Sequence, residues 1–382
     1  MSGTPAEGEV SHAVVTVNPG SSSLQLHLVA PQDRVVAQYV IEHRPDSAAA
    51  ERAVTDFVRS SGTVTVVAVG YRLVHGGVSL RRPTVVDEDV LRVARAAADL
   101  APLHVPVTLR LLEVLRGLLP DVPHVLCPDT AFHADLPEVA HTYPLPRSWR
   151  DSFGLRRLGF HGLSYAWATR RAAELLGRPV TELQLLLTHL GGGCSVCAVR
   201  NGRSVDTSMG FTPLDGVPMT RRSGSVDPGL LLWLLQHGGL SVSDLLDGLY
   251  RRSGLLALSE GRSADTRDLV RAAAEQDRAS RLALDVLAHR VRRELAACAT
   301  SLDRIDALVF TGEIGWDQPE VRQAVCAGLG LLGVPSELAG NRAEDGPIGP
   351  PDAVVPVLIV RPREECQIAR DTLFALRSVP SG

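Results

Sequence analysis

Along the chain, short apolar runs alternate with longer stretches of helical spacing, the pattern of an α/β fold. Val14 to Val29, VVTVNPGSSSLQLHLV, starts as a β-branched run, passes through Asn-Pro-Gly and three serines, and ends as an alternating run. This predicts a hairpin with a turn rich in glycine and hydroxyls. Leu185 to Val199, LLLTHLGGGCSVCAV, repeats the plan: an apolar run, His189, three glycines, then Ser195 and a second strand. Setting Asn18 against His189 superimposes turn on turn. The duplication predicts two related domains, with turns of phosphate size facing one cleft. Further strands are expected at Val64 to Val69, Ala307 to Phe310 and Val354 to Val360. Helices are expected at Asp89 to Ala97, Tyr165 to Leu176, Pro228 to His237, Thr266 to Leu302 and Glu320 to Leu332. Asn341 to Pro351 reads as a surface loop. Pro362, with Glu364 and Glu365 in the following turn, opens a C-terminal helix.

Composition narrows the chemistry. The 382 residues contain no lysine, so all 39 basic side chains are arginine. This excludes a Walker-type phosphate loop and a pyridoxal Schiff base, both of which need that amine. Against 43 acidic residues the formal charge is −4, with the two signs mixed along the chain. That mixture predicts neither a nucleic-acid surface nor a membrane-binding basic helix. The longest apolar stretches, such as Leu230 to Leu235, fall far short of the roughly 20 residues of a spanning helix. The first dozen residues, MSGTPAEGEVSH, lack the basic start and apolar run of a secretory signal, so a disordered leader and a cytoplasmic location are expected. Six cysteines are too sparse for a disulfide framework, which implies a reducing compartment. Cys194 and Cys197 form a C-x-x-C inside an expected strand, where core packing is the favoured reading over zinc or redox work.

Several segments carry candidate chemistry. Either turn alone could be a tight hairpin needing positive φ. Two with one plan point to phosphate bound by backbone N–H groups. Arg72 and His75 lie in GYRLVHGG at the end of an apolar run, where α/β sheets place their ligands. An arginine there can hold a carboxylate or phosphate by two parallel bonds, or form a structural ion pair. In CPDTAFHADL, Asp129 follows another apolar run. It could bind a metal, orient a nucleophile, or cap the next helix. His161, in LGFHGLSY, fits a satisfied buried histidine as well as a catalyst. Ser204 to Pro228 is almost free of periodicity and dense in turn residues, as functional segments often are. It holds Arg221 and Arg222, candidates to oppose Arg72 across the cleft.

Taken in order, VNPGSSSLQL, GYRLVHGG, APLHVP, DTAFHADLPE, RRLGFHGLSY, THLGGGCSV, GRSVDTSMGFTPLDG, SGLLALS, DTRDL, FTGEIGW and REECQIARDT resemble the acetate kinase family, within the actin and sugar-kinase superfamily. The resemblance runs from Val14 to the terminal helix. It implies two actin-like (ribonuclease H-like) domains flanking a central cleft. One is an acceptor-side domain of residues 11–130, completed by helix 365–382. The other is a nucleotide-side domain of residues 131–364.

The resemblance implies transfer of the terminal phosphoryl group of ATP to acetate or propionate, with Mg²⁺ or Mn²⁺, in a homodimer. Asp129, His161 and Arg222 match catalytic positions. Arg72, with the pocket residues Val74, Leu103, Phe160 and Pro213, matches the acetate site. Asn18 and Glu364 match the metal site, and Ser21 and Ser23 lie in the same turn. His189, Gly191 and Gly193 match the nucleotide-phosphate loop, while Asp265, Arg267 and Gly315 match positions near the nucleoside. The chain departs from the family pattern at Gln25, where lysine is usual, and at Gly192, where asparagine is usual. Glu313-Ile314-Gly315-Trp316-Asp317 stands for G-I-G-E-N. Ser225 replaces an acid, and Tyr71 and Tyr165 replace histidines. These changes are concentrated on the donor side, so another donor such as pyrophosphate, or a non-catalytic acyl-phosphate-binding paralogue, stand as alternatives.

Overall fold

The computed structural model describes residues 12–20, 23–42, 48–60, 62, 64–101, 104–339 and 342–378. Ser21 and Leu103, both candidate site residues, lie outside the described residues. The chain divides into two compact units, Met1–Ala131 with Arg363–Gly382, and Phe132–Pro362.

Each unit is built on a six-stranded mixed sheet. The first contains β1 (His12–Pro19), β2 (Leu24–Ala30), β3 (Arg34–Ile41), β4 (Thr65–Leu73), β5 (Thr84–Val85) and β6 (His124–Pro128) in the order β3-β2-β1-β4-β6-β5. The second contains β7 (Gln184–Leu190), β8 (Cys194–Arg200), β9 (Arg203–Thr207), β10 (Ala307–Thr311), β11 (Gly346–Pro347) and β12 (Val357–Ile359) in the order β11-β12-β10-β7-β8-β9. Read from β9, the second order repeats the first strand for strand. The directions repeat as well: two antiparallel hairpin links, two parallel links, then a short antiparallel edge.

Register makes the duplication residue-specific. The first hairpin closes on Pro19 opposite Leu24, with Asn18 opposite Gln25. The second closes on Leu190 opposite Cys194, with His189 opposite Ser195. Paired residues point to the same face of a sheet. Asn18, Gln25 and Arg72 in one unit therefore occupy the places of His189, Ser195 and Thr311 in the other.

The central strands are buried on both sides, as in β7, where all seven residues are buried. One face of the first sheet is covered by the helix Glu364–Arg377. A Cβ added to Gly70 would lie 2.1 Å from Oγ1 of Thr372 on that helix. Only glycine allows this approach. The same face of Val14, Val29 and Ala68 packs on Ala369. Side chains of β7 and β8 meet the helix Gly162–Leu176.

Several expected elements differ in extent. Thr266 to Leu302 is two helices, Thr266–Ala274 and Arg278–Ala299, because Gln276 turns through φ 66° and Asp277 caps the second. Past Cys326 the Glu320 to Leu332 pattern continues only as a turn and a short 3-10 segment, Gly330–Leu332. The last apolar run is a strand only over Val357–Ile359, and the preceding loop contributes β11. Ser204 to Pro228 is not wholly irregular, since β9 occupies its start through pairing with β8. The C-terminal helix starts at Glu364, as its proline and acidic first turn predict.

Candidate active site

In the first unit, the carboxyl ends of parallel strands β1, β4 and β6 bring three polar side chains to one face. Arg72 is the hub. Its Nη2 donates to Oδ2 of Asp129 at 2.7 Å, its Nη1 donates to Oδ1 of Asn18 at 3.1 Å, and Nη1 lies 3.2 Å from Oε2 of Glu364. Asn18 Nδ2 donates to the same Glu364 oxygen at 2.8 Å. Glu364 arrives from the N-terminus of its helix, where the helix dipole favours a carboxylate. Asp129 is 1% exposed and Arg72 13%. Removing one partner of a pair this buried costs about 3–5 kcal/mol, so the pair supports the fold. Beside it, Val74 is buried and apolar, and His75 accepts from the Gly77 amide through Nδ1 at 2.9 Å. Gln25, opposite Asn18 on this face, is only partly buried.

In the second unit the corresponding place holds rings and hydroxyls. His161 precedes the helix Gly162–Leu176 in a left-handed conformation, φ 59°. Its ring stacks on that of His189, centroids 4.1 Å apart. His161 Nδ1 hydrogen-bonds Ser195 Oγ at 2.8 Å, and the Tyr165 hydroxyl meets the same oxygen at 2.6 Å. His189 Nδ1 hydrogen-bonds Ser164 at 2.8 Å. Burial pushes the Tyr165 phenol well above its usual range, so it stays protonated. Sequence reasoning missed Ser164 and Ser195. Ser195 was legible as the residue opposite His189 across the hairpin. Ser164 was not, because its role depends on how the helix lies on the sheet.

The glycine turn Gly191–Gly193 fits tightly into these groups. A Cβ on Gly193 would sit 2.8 Å from Nε2 of His161 and 4.0 Å from Nη1 of Arg222. A Cβ on Gly191 would sit 2.2 Å from Oε2 of Glu313 and 3.5 Å from Nε2 of His189. Arg222 Nη1 donates to the Pro213 carbonyl at 3.3 Å, and Thr220 donates to the Gly192 carbonyl at 3.0 Å. Phe160 and Pro213 are buried. His161, His189, Gly191, Gly193, Arg222 and Pro213 are thus gathered at one end of the second sheet.

The remaining candidates lie on the helices Thr266–Ala274 and Gly312–Asp317. Asp265 caps the helix Thr266–Ala274 and pairs with Arg267 at 2.7 Å, and that hydrogen bond holds its carboxyl below the usual carboxylate range. Gly315 is buried in the short helix Gly312–Asp317, whose Gly315 and Trp316 carbonyls accept from the fully buried Arg322 at 3.0 and 2.7 Å. Cys194 and Cys197 lie three residues apart on β8, hence on opposite faces. Burial pushes both thiols up to about 12. They are inert core residues, and all six cysteines are unpaired and buried.

The sequence pattern of the acetokinase family matches residues 42–370. The chain belongs to the acetokinase family. It is 37% identical to an acetate kinase of Shouchella clausii, over 94% of this chain and 98% of that one. It is 40% identical to an acetate kinase of Deinococcus radiodurans, over 94% and 96%. Among solved structures, an acetate kinase of Porphyromonas gingivalis superposes with a TM-score of 0.85 at 30% identity, over 96% and 100% of the two chains. A propionate kinase of Francisella tularensis superposes with a TM-score of 0.86 at 29% identity, over 95% and 99%.

For an acetokinase, the departures have a local structural account. Glu313 places a carboxylate against Gly191, which leaves no room for a side chain there. Around Gly192, by contrast, an added Cβ would meet nothing within 4 Å, so the missing asparagine reflects no lack of space. Tyr71 is wholly buried and bonds Nδ1 of His124 at 2.7 Å. Among the described residues, no helix is long and apolar enough to cross a membrane.

Proposed function

We propose that this acetokinase transfers the terminal phosphoryl group of ATP to acetate or propionate, reversibly, forming an acyl phosphate and ADP. A carboxylate oxygen attacks the γ-phosphorus and the bond to the ADP oxygen breaks. Acetate is already ionised at neutral pH, so the work is to bring two anions together and to neutralise the charge on the transferring group. The observation that supports this most is Arg72, held at three points by Asp129, Asn18 and Glu364. A guanidinium fixed in that way can bind a carboxylate or phosphoryl oxygen without first losing its own freedom. Asp129 orients it, and Val74, Leu103, Phe160 and Pro213 are the apolar residues for the acid's alkyl group.

In the second unit, Gly191 and Gly193 bring backbone close to the donor phosphates, with His189 beside them. His161 and Arg222 supply the donors for the equatorial oxygens. Asp265, Arg267 and Gly315 are assigned to the nucleoside, and Ser21 and Ser23 to the first turn. Asn18 Nδ2 donates to Glu364 Oε2 at 2.8 Å, which sets an amide group and a carboxylate side by side. Hard oxygen donors of this number suit Mg²⁺, which takes one or two protein carboxylates and fills its remaining positions with phosphate oxygens and water. When bound, Mg²⁺ neutralises charge on the phosphate oxygens.

The reading includes a cytoplasmic homodimer. Six unpaired buried cysteines support a reducing compartment. Leu230, Leu232, Trp233 and Leu235 on the helix Pro228–His237, with Val242 and Leu246 on the next, expose an apolar surface suited to a second copy. Light scattering on purified protein would return twice the chain mass; a monomer at micromolar concentration would refute the dimer.

The activity is tested by supplying acetate and Mg²⁺ with ATP, GTP or pyrophosphate in turn and trapping the product as the hydroxamate. ATP is expected to yield acyl phosphate. Product with pyrophosphate alone, or none with any donor, would overturn the reading.

A further inference from the structure

Behind His161 lies a hydrogen-bond chain whose polarity can be worked out. Ser195 Oγ lies between two partners, the Tyr165 hydroxyl at 2.6 Å and His161 Nδ1 at 2.8 Å. In one direction, Tyr165 donates to Ser195 and Ser195 donates to Nδ1. In the other, His161 donates from Nδ1 to Ser195, which donates to the phenol oxygen. The phenol oxygen already receives a backbone hydrogen bond from His189. In the second direction it would take a further one and leave its own proton, fully buried, with no acceptor among the described residues. If both partners donated to Ser195, whose oxygen has two lone pairs, the serine's own buried proton would be left without an acceptor among the described residues. A buried unsatisfied donor is costly, so the first direction wins.

We propose that Tyr165 and Ser195 form a one-way relay that holds His161 uncharged, with its proton on Nε2, the atom that faces Gly193. The assignment rests on the reading of His161 as a contact to the transferring phosphoryl group. Tyr165 and Ser195 are positioning residues, since they act through the ring and not on substrate.

The surroundings agree with an uncharged ring. His161 sits at the N-terminus of a 15-residue helix, whose dipole opposes a cation there. Arg222 lies on the far side of Gly193 and also opposes one. His189 stacks on the ring, and Cys194 is a buried thiol beside Ser195. Glu313, a group that would favour a cation, lies against Gly191 rather than Gly193. In this state His161 offers a phosphoryl oxygen one hydrogen bond.

The test starts with the unmodified protein. Nitrogen-15 shifts of the labelled His161 ring at neutral pH are expected to show a protonated Nε2 and an unprotonated Nδ1. A ring protonated at Nδ1, or at both nitrogens, overturns the relay whatever any variant does. Tyr165→Phe keeps the ring and frees Ser195 to accept from Nδ1. We expect kcat to fall about tenfold or more while both KM values stay within about twofold, as when a tautomer-fixing partner is lost. That loss should shrink as pH is lowered into the range where the ring takes up a second proton, because an imidazolium again carries a proton on Nε2. A loss that is equal at every pH would mark a merely structural role and refute the proposal. His161→Ala separates the two claims: full activity in that variant would remove His161 from the reaction, while the nitrogen shifts would still report the relay.

Discussion

The two units share a strand order, strand directions and hairpin register, yet equivalent positions carry opposite chemistry. In the first, Asn18, Gln25 and Arg72 surround a charged network with Asp129 and Glu364. In the second, His189, Ser195 and Thr311 stand in their places, and the network is one of rings and hydroxyls. The start of a covering helix completes each, with Glu364 in one and His161 in the other. The scaffold therefore dictates where a ligand end can lie, at the carboxyl ends of the parallel strands, and leaves the charge there free to diverge. A further contrast lies one step down each strand. Thr16 faces His27 in the first sheet, and Leu187 faces Cys197 in the second. Thr16 Oγ1 and His27 Nδ1 are buried without a hydrogen-bond partner among the described residues, whereas the second pair is a leucine and a buried thiol.

The largest effect is expected for Arg222→Ala, the change that removes a fixed cation from the ring-and-hydroxyl unit. Loss of a donor aimed at transition-state charge should cut kcat about a thousandfold. Turnover within a few-fold of the parent would break the assignment of that arginine.

The next effect concerns stability and belongs to the first unit alone. Burial lowers His27 from 6.5 to about 4. Between those values the unfolded chain binds a proton that the folded one does not, so stability is full above pH 6.5 and falls as pH drops toward 4. The difference amounts to about 3 kcal/mol. Chemical denaturation of the parent and of His27→Leu across this range should show the parent losing stability and the variant losing less by that amount. Parallel curves would contradict the account.

The smallest is Gln25→Lys, which adds a cation opposite Asn18 on the charged face. A lysine there should lower the KM for the donor a few-fold, as one partly exposed charge is worth about 0.2–1 kcal/mol. An unchanged or raised donor KM would place Gln25 away from the phosphates.

Much of this duplication could be read from the residues. The two strand–turn–strand segments aligned Asn18 with His189, and the register repeats that alignment. Arg72 and Asp129 were found because each ends an apolar run, and strand ends are fixed by hydrophobic pattern. Contacts made by helix placement were not legible. Glu364 reaching Arg72 depends on where a helix 292 residues later in the chain docks. Ser164 meeting His189 depends on a helix rotation that no periodicity specifies. The break at Gln276 was missed because apolar spacing continued across it while a single left-handed residue turned the chain.

The claim that the second unit's glycine turn serves the phosphate donor is tested most directly by KM values for ATP and acetate in Gly193→Ala. The added methyl would lie 2.8 Å from His161 Nε2 and near Arg222, in the space assigned to phosphate. The account predicts an ATP KM raised about tenfold or more, with acetate KM within about twofold. A raised acetate KM with an unchanged ATP KM would contradict it.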